Sequence, residues 1–154
     1  MMNILIDDFN CRQFITVFKR ALIDLNKEKD IDLFKLIEEM NSINDIWAIL
    51  FIDNIRTIGF IQFQILQLSN DKFMERVGFI REFWIEPKYR NKGIGKHLLN
   101  DCELHLNMLG INQFVLLSLP AAENFYKKQG YMINENYISF NNLKVMTKFL
   151  SNWL

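Results

Sequence analysis

Along this 154-residue chain the spacing of apolar positions changes period several times, and each change marks an element. Met2 to Ile6 is a short apolar run that predicts an edge strand. Asp7, Asp8 and Asn10 then offer helix-capping side chains. Phe14, Val17, Phe18, Ala21, Leu22 and Leu25 recur at three- and four-residue steps, which predicts a helix over 12–25. After a polar turn at Asn26–Asp30, Leu33, Phe34, Ile37 and Met40 predict a second helix over 31–40. From Ile46 the period shortens. Ile46–Ile52 is nearly continuous apolar sequence, Asp53-Asn54 is a natural turn pair, and Thr57–Leu68 alternates, with Gln62 and Gln64 between Ile61, Phe63 and Ile65. Ser69–Lys72 supplies another turn. Phe79–Ile85 then predicts a strand, and Pro87, which has no N–H for a ladder, stops it.

In the second half, Ile94, Leu98, Cys102 and Leu106 lie four apart, flanked by Leu99 and Leu109, and predict a helix over 95–109. Lys96, Asn100, Glu103 and Asn107 occupy its more exposed positions, and Gly110 ends it. Gln113–Leu119 reads as a buried-type strand through Phe114, Val115, Leu116 and Leu117. Strand, helix and strand in this order imply a parallel crossover. Pro120 opens a short helix, Ala121–Gln129, with Gly130 as its stop, and Tyr131–Phe149 reads as two strands turning at Asn141-Asn142. The expectation is one domain over 1–154 of mixed α/β class. The aromatics Phe14, Phe18, Phe34 and Trp47 are expected in its core.

Composition narrows the field of functions. Eighteen basic residues balance eighteen acidic ones, so no global field holds a polyanion, which argues against a dedicated nucleic-acid binder. Cys11 and Cys102 stand far apart, in no metal-ligand spacing, and read as unbridged thiols of a reducing compartment. There is no leader pattern and no apolar run near the ~20 residues a spanning helix needs. A cytoplasmic protein with no metal and no membrane partner is expected.

Local charge is another matter. Lys88, Arg90, Lys92 and Lys96 form a cationic stretch without an acidic residue. Gly93 and Gly95 remove side chains where the backbone must approach a ligand, and the N–H groups from Asn91 to Lys96 precede or open a helix, where they lack helical partners. Such a strand–loop–helix junction is an anion site, the plainer alternative being a solvated turn with capping glycines. Two phosphate loops are excluded: Gly-x-x-x-x-Gly-Lys needs glycine where Arg90 stands, and Gly-x-Gly-x-x-Gly fails at Leu98.

Arg90-Asn91-Lys92-Gly93-Ile94-Gly95 resembles the Arg/Gln-x-x-Gly-x-Gly/Ala loop of the GNAT superfamily of acyl-CoA-dependent N-acyltransferases. Ala122-Glu-Asn-Phe-Tyr-Lys-Lys-Gln-Gly-Tyr131 is similar to that family's Ala-x-x-Phe-Tyr-x-x-x-Gly-Phe helix, one helix and one strand further on. The resemblance implies a mostly antiparallel central sheet with flanking helices and a splayed parallel pair, Phe79–Ile85 and Gln113–Leu119. It also implies acetyl-CoA as cosubstrate, with its pyrophosphate on the amides of Arg90, Asn91, Lys92, Gly93, Ile94, Gly95 and Lys96. The pantetheine arm would run along the backbone of Trp84 and Ile85, and Ala122, Phe125 and Tyr126 would complete the cofactor site. Dimerisation is common in that family, so a homodimer is within the expectation.

The resemblance further implies N-acetyltransferase chemistry by direct attack of a primary amine on the thioester. The acceptor, a small molecule or a peptide, is not legible. Such a reaction needs a base for the ammonium, a donor for the carbonyl oxygen and one for the departing thiolate. Tyr126 matches the family tyrosine near the sulfur, the plainer alternative being a core aromatic. Glu82 lies where some members carry a basic glutamate, the plainer alternative being a solvated strand residue, with Glu86 the other candidate base. A backbone N–H near Ile85 would serve the oxyanion. Glu86, beside the cationic loop, reads as a structural pair whose pKa is lowered, and His97 and His105 read as helix-surface residues. Leu119 departs from the family, which often has asparagine three residues before the alanine, with Ser118 the nearest polar side chain. A non-catalytic CoA-binding module of the same fold is therefore the alternative, and a nucleic-acid-binding module, supported only by the Lys88–Lys96 patch, ranks third.

Overall fold

The computed structural model describes residues 1–69, 74–136 and 142–150. In chain order they form β1 (Met2–Ile6), α1 (Arg12–Asp24), α2 (Leu33–Asn41), β2 (Ile46–Asp53), β3 (Arg56–Ser69), β4 (Met74–Ile85), α3 (Ile94–Met108), β5 (Gln113–Ser118), α4 (Glu123–Lys128), β6 (Met132–Ile133) and β7 (Lys144–Phe149). The strands make one sheet in the order β1-β2-β3-β4-β5-β7-β6. β1 pairs antiparallel with β2, from Met2 opposite Ile52 to Ile6 opposite Ala48. β4 and β5 are the parallel pair, Gly78 to Ile80 against Phe114 to Leu116. The mixed, mostly antiparallel fold is thus the one expected. The predicted turn at Ser69–Lys72 falls largely outside the described residues, as does Asn141; Asn142 adopts φ +64°.

The chain divides into two compact units, Met1–Phe63 with Glu82–Cys102, and Gln64–Arg81 with Glu103–Leu154. In the first, Phe14, Val17, Phe18 and Ala21 of α1 and Ile37 and Met40 of α2 bury against Ala48, Leu50, Phe60 and Trp84. The Phe14 ring stacks on Phe18 at 5.2 Å and meets Phe60 edge-on at 5.6 Å. Phe51, the next residue along β2 from Leu50, points the other way and meets His97 of α3 at 6.0 Å. Both faces of the sheet are therefore covered here, and that overrides the polar alternation of β3: Gln62 is 0% exposed and Gln64 is also buried.

Other expectations are corrected. α1 is capped by Cys11 without a side-chain bond. Asp8 instead accepts from the Asn10 amide at 2.9 Å and the Asn41 side chain at 3.3 Å, tying the entry of α1 to the end of α2. Phe34 is 76% exposed; α2 starts after the Asp32 cap, and the stripe that packs is Leu33, Leu36, Ile37 and Met40, with Phe34 at its margin. Trp47 is only half-buried, its ring 5.9 Å from Phe63. Leu25, Leu109 and Leu117 are exposed, the first two because they lie just past their helix ends.

In the second unit, β5 pairs with β7 along its whole length, Gln113 opposite Phe149 to Ser118 opposite Lys144. β6 adds only two residues beside β7. The largest departure is Glu103. Expected on the exposed side of α3, it is only 5% exposed. It lies four residues after Leu99 and three before Leu106, so it continues the buried stripe rather than opposing it.

Candidate active site

The candidate residues fall into both units. In the first, β4 ends at Ile85 and Pro87–Tyr89 makes one 3-10 turn, which the Arg90 N–H closes by donating to Pro87 O at 3.2 Å. The Arg90 amide is thereby engaged, and the open run begins at Asn91. Asn91 and Gly93 take positive φ of +62° and +84°, folding the chain tightly before α3. The first α3-type bond is His97 N–H to Gly93 O at 3.1 Å. The six N–H groups of Asn91, Lys92, Gly93, Ile94, Gly95 and Lys96 have no hydrogen-bond partner among the described residues. A Cβ added at Gly93 would meet nothing within 4 Å. Glycine there answers to backbone conformation and to approach from outside, not to crowding within the protein. Lys88, Lys92 and Lys96 are exposed around this run, and the Lys92 ammonium stands 5.6 Å from the Tyr89 ring centroid.

Side chains brace the loop from behind. Arg90 donates through Nε to the Ile85 carbonyl at 2.8 Å and through its guanidinium to Asp24 Oδ2 at 3.0 Å. The same oxygen accepts the Trp84 indole N–H at 2.9 Å. The Trp84 bond is the largest of the effects that hold the Asp24 carboxyl below its usual range; burial opposes it and Arg90 adds to it. Arg90 is consequently a tether for the loop more than an open phosphate ligand. Glu86 forms the expected structural pair: Arg56 donates to it at 2.7 and 3.2 Å, and that hydrogen bond is the main reason its pKa is lowered. Glu82 is exposed. His97 is exposed as predicted, though β1 supplies it a partner, with Asn3 Nδ2 at 3.0 Å from its ring and Asp101 at 3.6 Å. Burial lowers the His105 pKa. A hollow of about 550 Å³ beside the loop is lined by Asn3, Phe51, Tyr89, Lys92, Gly93 and His97, among others; Trp84 and Ile85 are not part of it.

In the second unit, Ala122 ends a 3-10 turn and directly precedes α4, which carries Phe125 and Tyr126. Their rings meet at 5.2 Å, and Tyr126 meets Tyr131 at 5.8 Å. Burial pushes the Tyr126 phenol up to about 12, so it is a donor at any physiological pH. Ser118 is buried and gives its hydroxyl to the Leu119 carbonyl at 2.9 Å, while the Leu119 side chain is exposed. Nothing polar stands in for the family's asparagine there. Among the described residues no group of three or more His, Cys, Asp or Glu could hold a metal ion, and no helix is long and apolar enough to cross a membrane.

Sequence reasoning missed Asp24, Arg56, Glu103 and Lys148. The spacing Leu99–Glu103–Leu106 carried a signal for Glu103. For Asp24, sixty residues and more from Trp84 and Arg90, there was none.

No match is found among curated proteins. Among solved structures, the predicted acetyltransferase of Clostridium acetobutylicum, determined with acetyl-CoA, has a TM-score of 0.75 at 20% identity, over 91% of this chain and 95% of that one. The PaiA N-acetyltransferase of Thermoplasma acidophilum, in complex with coenzyme A, gives 0.69 at 21% identity over 97% and 100%. Tetrahymena GCN5 gives 0.70 at 15% identity over 100% and 99%. These likenesses speak to the fold. The family model for the GNAT acetyltransferase domain matches residues 45–133, more than half of the sequence, and spans both the loop and α4. The chain belongs to the GNAT acetyltransferase family.

Proposed function

We propose that this chain, acting as one domain over 1–154, transfers an acetyl group from acetyl-CoA to a primary amine by direct attack on the thioester. The carrying observation is the run of six amides from Asn91 to Lys96, unpartnered among the described residues, at the head of α3 in a member of an acetyltransferase family. Six successive open donors, a helix N-terminus and three exposed lysines suit a pyrophosphate. The strand backbone at Trp84 and Ile85 takes the pantetheine arm, and Ala122 and Phe125 of the second motif bind the cofactor as well. Neighbours of the same fold solved with coenzyme A or acetyl-CoA support this reading.

The acceptor's ammonium first loses a proton to Glu82, directly or through water. Its lone pair forms the C–N bond, and the carbonyl π pair moves to oxygen, where a backbone N–H near Ile85 stabilises it. Collapse breaks the C–S bond and the sulfur leaves with the pair. A phenol at about 12 lies roughly three to four units above an ordinary thiol, so complete transfer of its proton is uphill. Tyr126 therefore contributes a hydrogen bond to the departing thiolate. The nitrogen sheds its second proton as the amide forms, and that proton reaches the coenzyme A sulfur through water, leaving the tyrosine unchanged, while the first passes from Glu82 to solvent.

The test is thiol release from acetyl-CoA across a panel of alkyl amines, amino-acid amides and lysine-containing peptides. Release with at least one class is expected, and silence across the panel would sink the enzymatic reading. A second reading, a CoA-binding module without catalysis, draws support from exposed Leu119 and the engaged Ser118 hydroxyl. Tight acetyl-CoA binding by calorimetry together with that silence would favour it.

A further inference from the structure

A six-residue helix is too short to hold itself in place, and no residue of α4 is fully buried, Tyr126 being half-buried with its phenol turned inward. What fixes Tyr126 must come from the elements packed beneath it. At the C-terminal end of α4, Gly130 turns at φ +93° and the Tyr131 N–H returns to the Tyr126 carbonyl at 3.0 Å. The Tyr131 ring, 2% exposed, then lies edge-on against the Tyr126 ring. Its hydroxyl donates to Glu103 Oε2 at 2.8 Å, and Lys148 of β7 donates to Glu103 Oε1 at 2.7 Å. The Lys148 ammonium also stands 5.6 Å from the Tyr131 ring centroid, and its stem fills the space where a Cβ on Gly130 would fall, 3.3 Å from Cε. Three separate elements converge on one phenol. The salt bridges at the other end of α4, from Glu123 to Lys144 at 3.3 Å and to Lys127 at 4.0 Å, involve half-exposed lysines and fix little.

A buried ion pair is a poor source of stability, since apolar residues of similar volume often serve as well. A phenylalanine at 131 would pack the same ring without requiring a buried carboxylate. What the hydroxyl adds is orientation: two charge-assisted bonds on Glu103 leave the Tyr131 ring one depth and one rotation. We propose that Glu103, Tyr131 and Lys148 are positioning residues for Tyr126, clamping the Tyr131 ring and so setting where the Tyr126 hydroxyl stands. This rests on the reading of Tyr126 as the donor to the thioester sulfur.

Tyr131→Phe removes one oxygen and leaves Glu103 paired with Lys148, so the fold survives. With acetyl-CoA and the fastest amine of the panel, we expect roughly tenfold lower kcat with the KM for acetyl-CoA little changed. In a Tyr126→Phe background the same substitution should cost almost nothing further, because its effect passes through Tyr126. The pair Glu103→Gln with Lys148→Met, which removes the buried carboxylate and its half-buried partner together, should behave likewise. A Tyr131→Phe loss that persists in full on Tyr126→Phe, or that appears in KM, overturns the proposal. If Tyr126→Phe is slow and Tyr131→Phe is not, the positioning role falls and the reading of Tyr126 stands; if Tyr126→Phe is as fast as the parent, both fall. NMR of isotope-labelled tyrosine with coenzyme A added decides even if no amine turns over. The Tyr126 ring signals should shift and broaden in Tyr131→Phe as the ring against it loses its fixed position, and unmoved signals overturn the proposal.

Discussion

In the loop from Asn91 to Lys96 the groups proposed to bind the cofactor are backbone amides, set by two left-handed residues within three positions and by the start of a helix. At Tyr126 the group proposed to act is one side-chain hydroxyl on a helix too short to stand alone, against the Tyr131 ring that Glu103 and Lys148 hold. The first is a local device: a few dihedral angles generate it, and Asp24, Arg90 and Trp84 only brace it. The second is non-local, since its parts come from α3, β7 and the chain after α4. A local device should fail by losing ligand affinity, and a non-local one by losing stability or rate.

Four substitutions sharpen that contrast. Glu103→Ala leaves the half-buried Lys148 and the buried Tyr131 hydroxyl without their shared carboxylate, and should destabilise the fold by about 3 kcal/mol, read from the denaturant midpoint. Tyr126→Phe should reduce kcat roughly ten- to a hundredfold, the worth of a hydrogen bond to a charged group, while calorimetry shows acetyl-CoA binding unchanged. Gly93→Ala places a Cβ on φ +84°, at about 1–2 kcal/mol. Acetyl-CoA should then bind about tenfold more weakly or less, with a small change in Tm, whereas a stability loss without an affinity loss would argue against a ligand-facing cradle.

The smallest effect expected is on acid stability. Asp24, held low chiefly by the Trp84 N–H, and Glu86, held low chiefly by Arg56, have folded-state pKa values below their unfolded ones. Their stabilisation is complete above the usual carboxylate range, about 4, and is lost as pH falls through the folded values. Asp24→Asn should therefore flatten the acid side of a plot of Tm against pH; a curve parallel to the parent's would show that the bridge contributes nothing. Tyr126 runs the other way. Its folded pKa is raised to about 12, so any stability it lends is present below about 10 and is lost as pH rises towards 12.

The element order was legible because each element carries its own period, and the helices and strands lie within a few residues of where that period placed them. The strand–loop–helix junction and the α4 segment were legible for the same local reason. Phe34, Gln62 and Glu103 were misread, and each for a definite cause. Periodicity reports which residues share a face; it does not report whether another layer covers that face. Gln62 alternates correctly and is buried because the sheet is covered on both sides there, and Glu103 is buried because Tyr131 and Lys148 offer it bonds.

The sequence by itself determined the mixed fold, the six amides at the head of α3 and the family to which they point. These depend on dihedral preferences and short-range spacing, which each residue carries with it. Tertiary structure alone decided that Arg90 is a tether, that Glu86 is spent on Arg56 and that a carboxylate on α3 meets the phenol beside Tyr126. A charged side chain takes its role from the partner that desolvates and pairs with it, and that partner is chosen by the packing of distant segments.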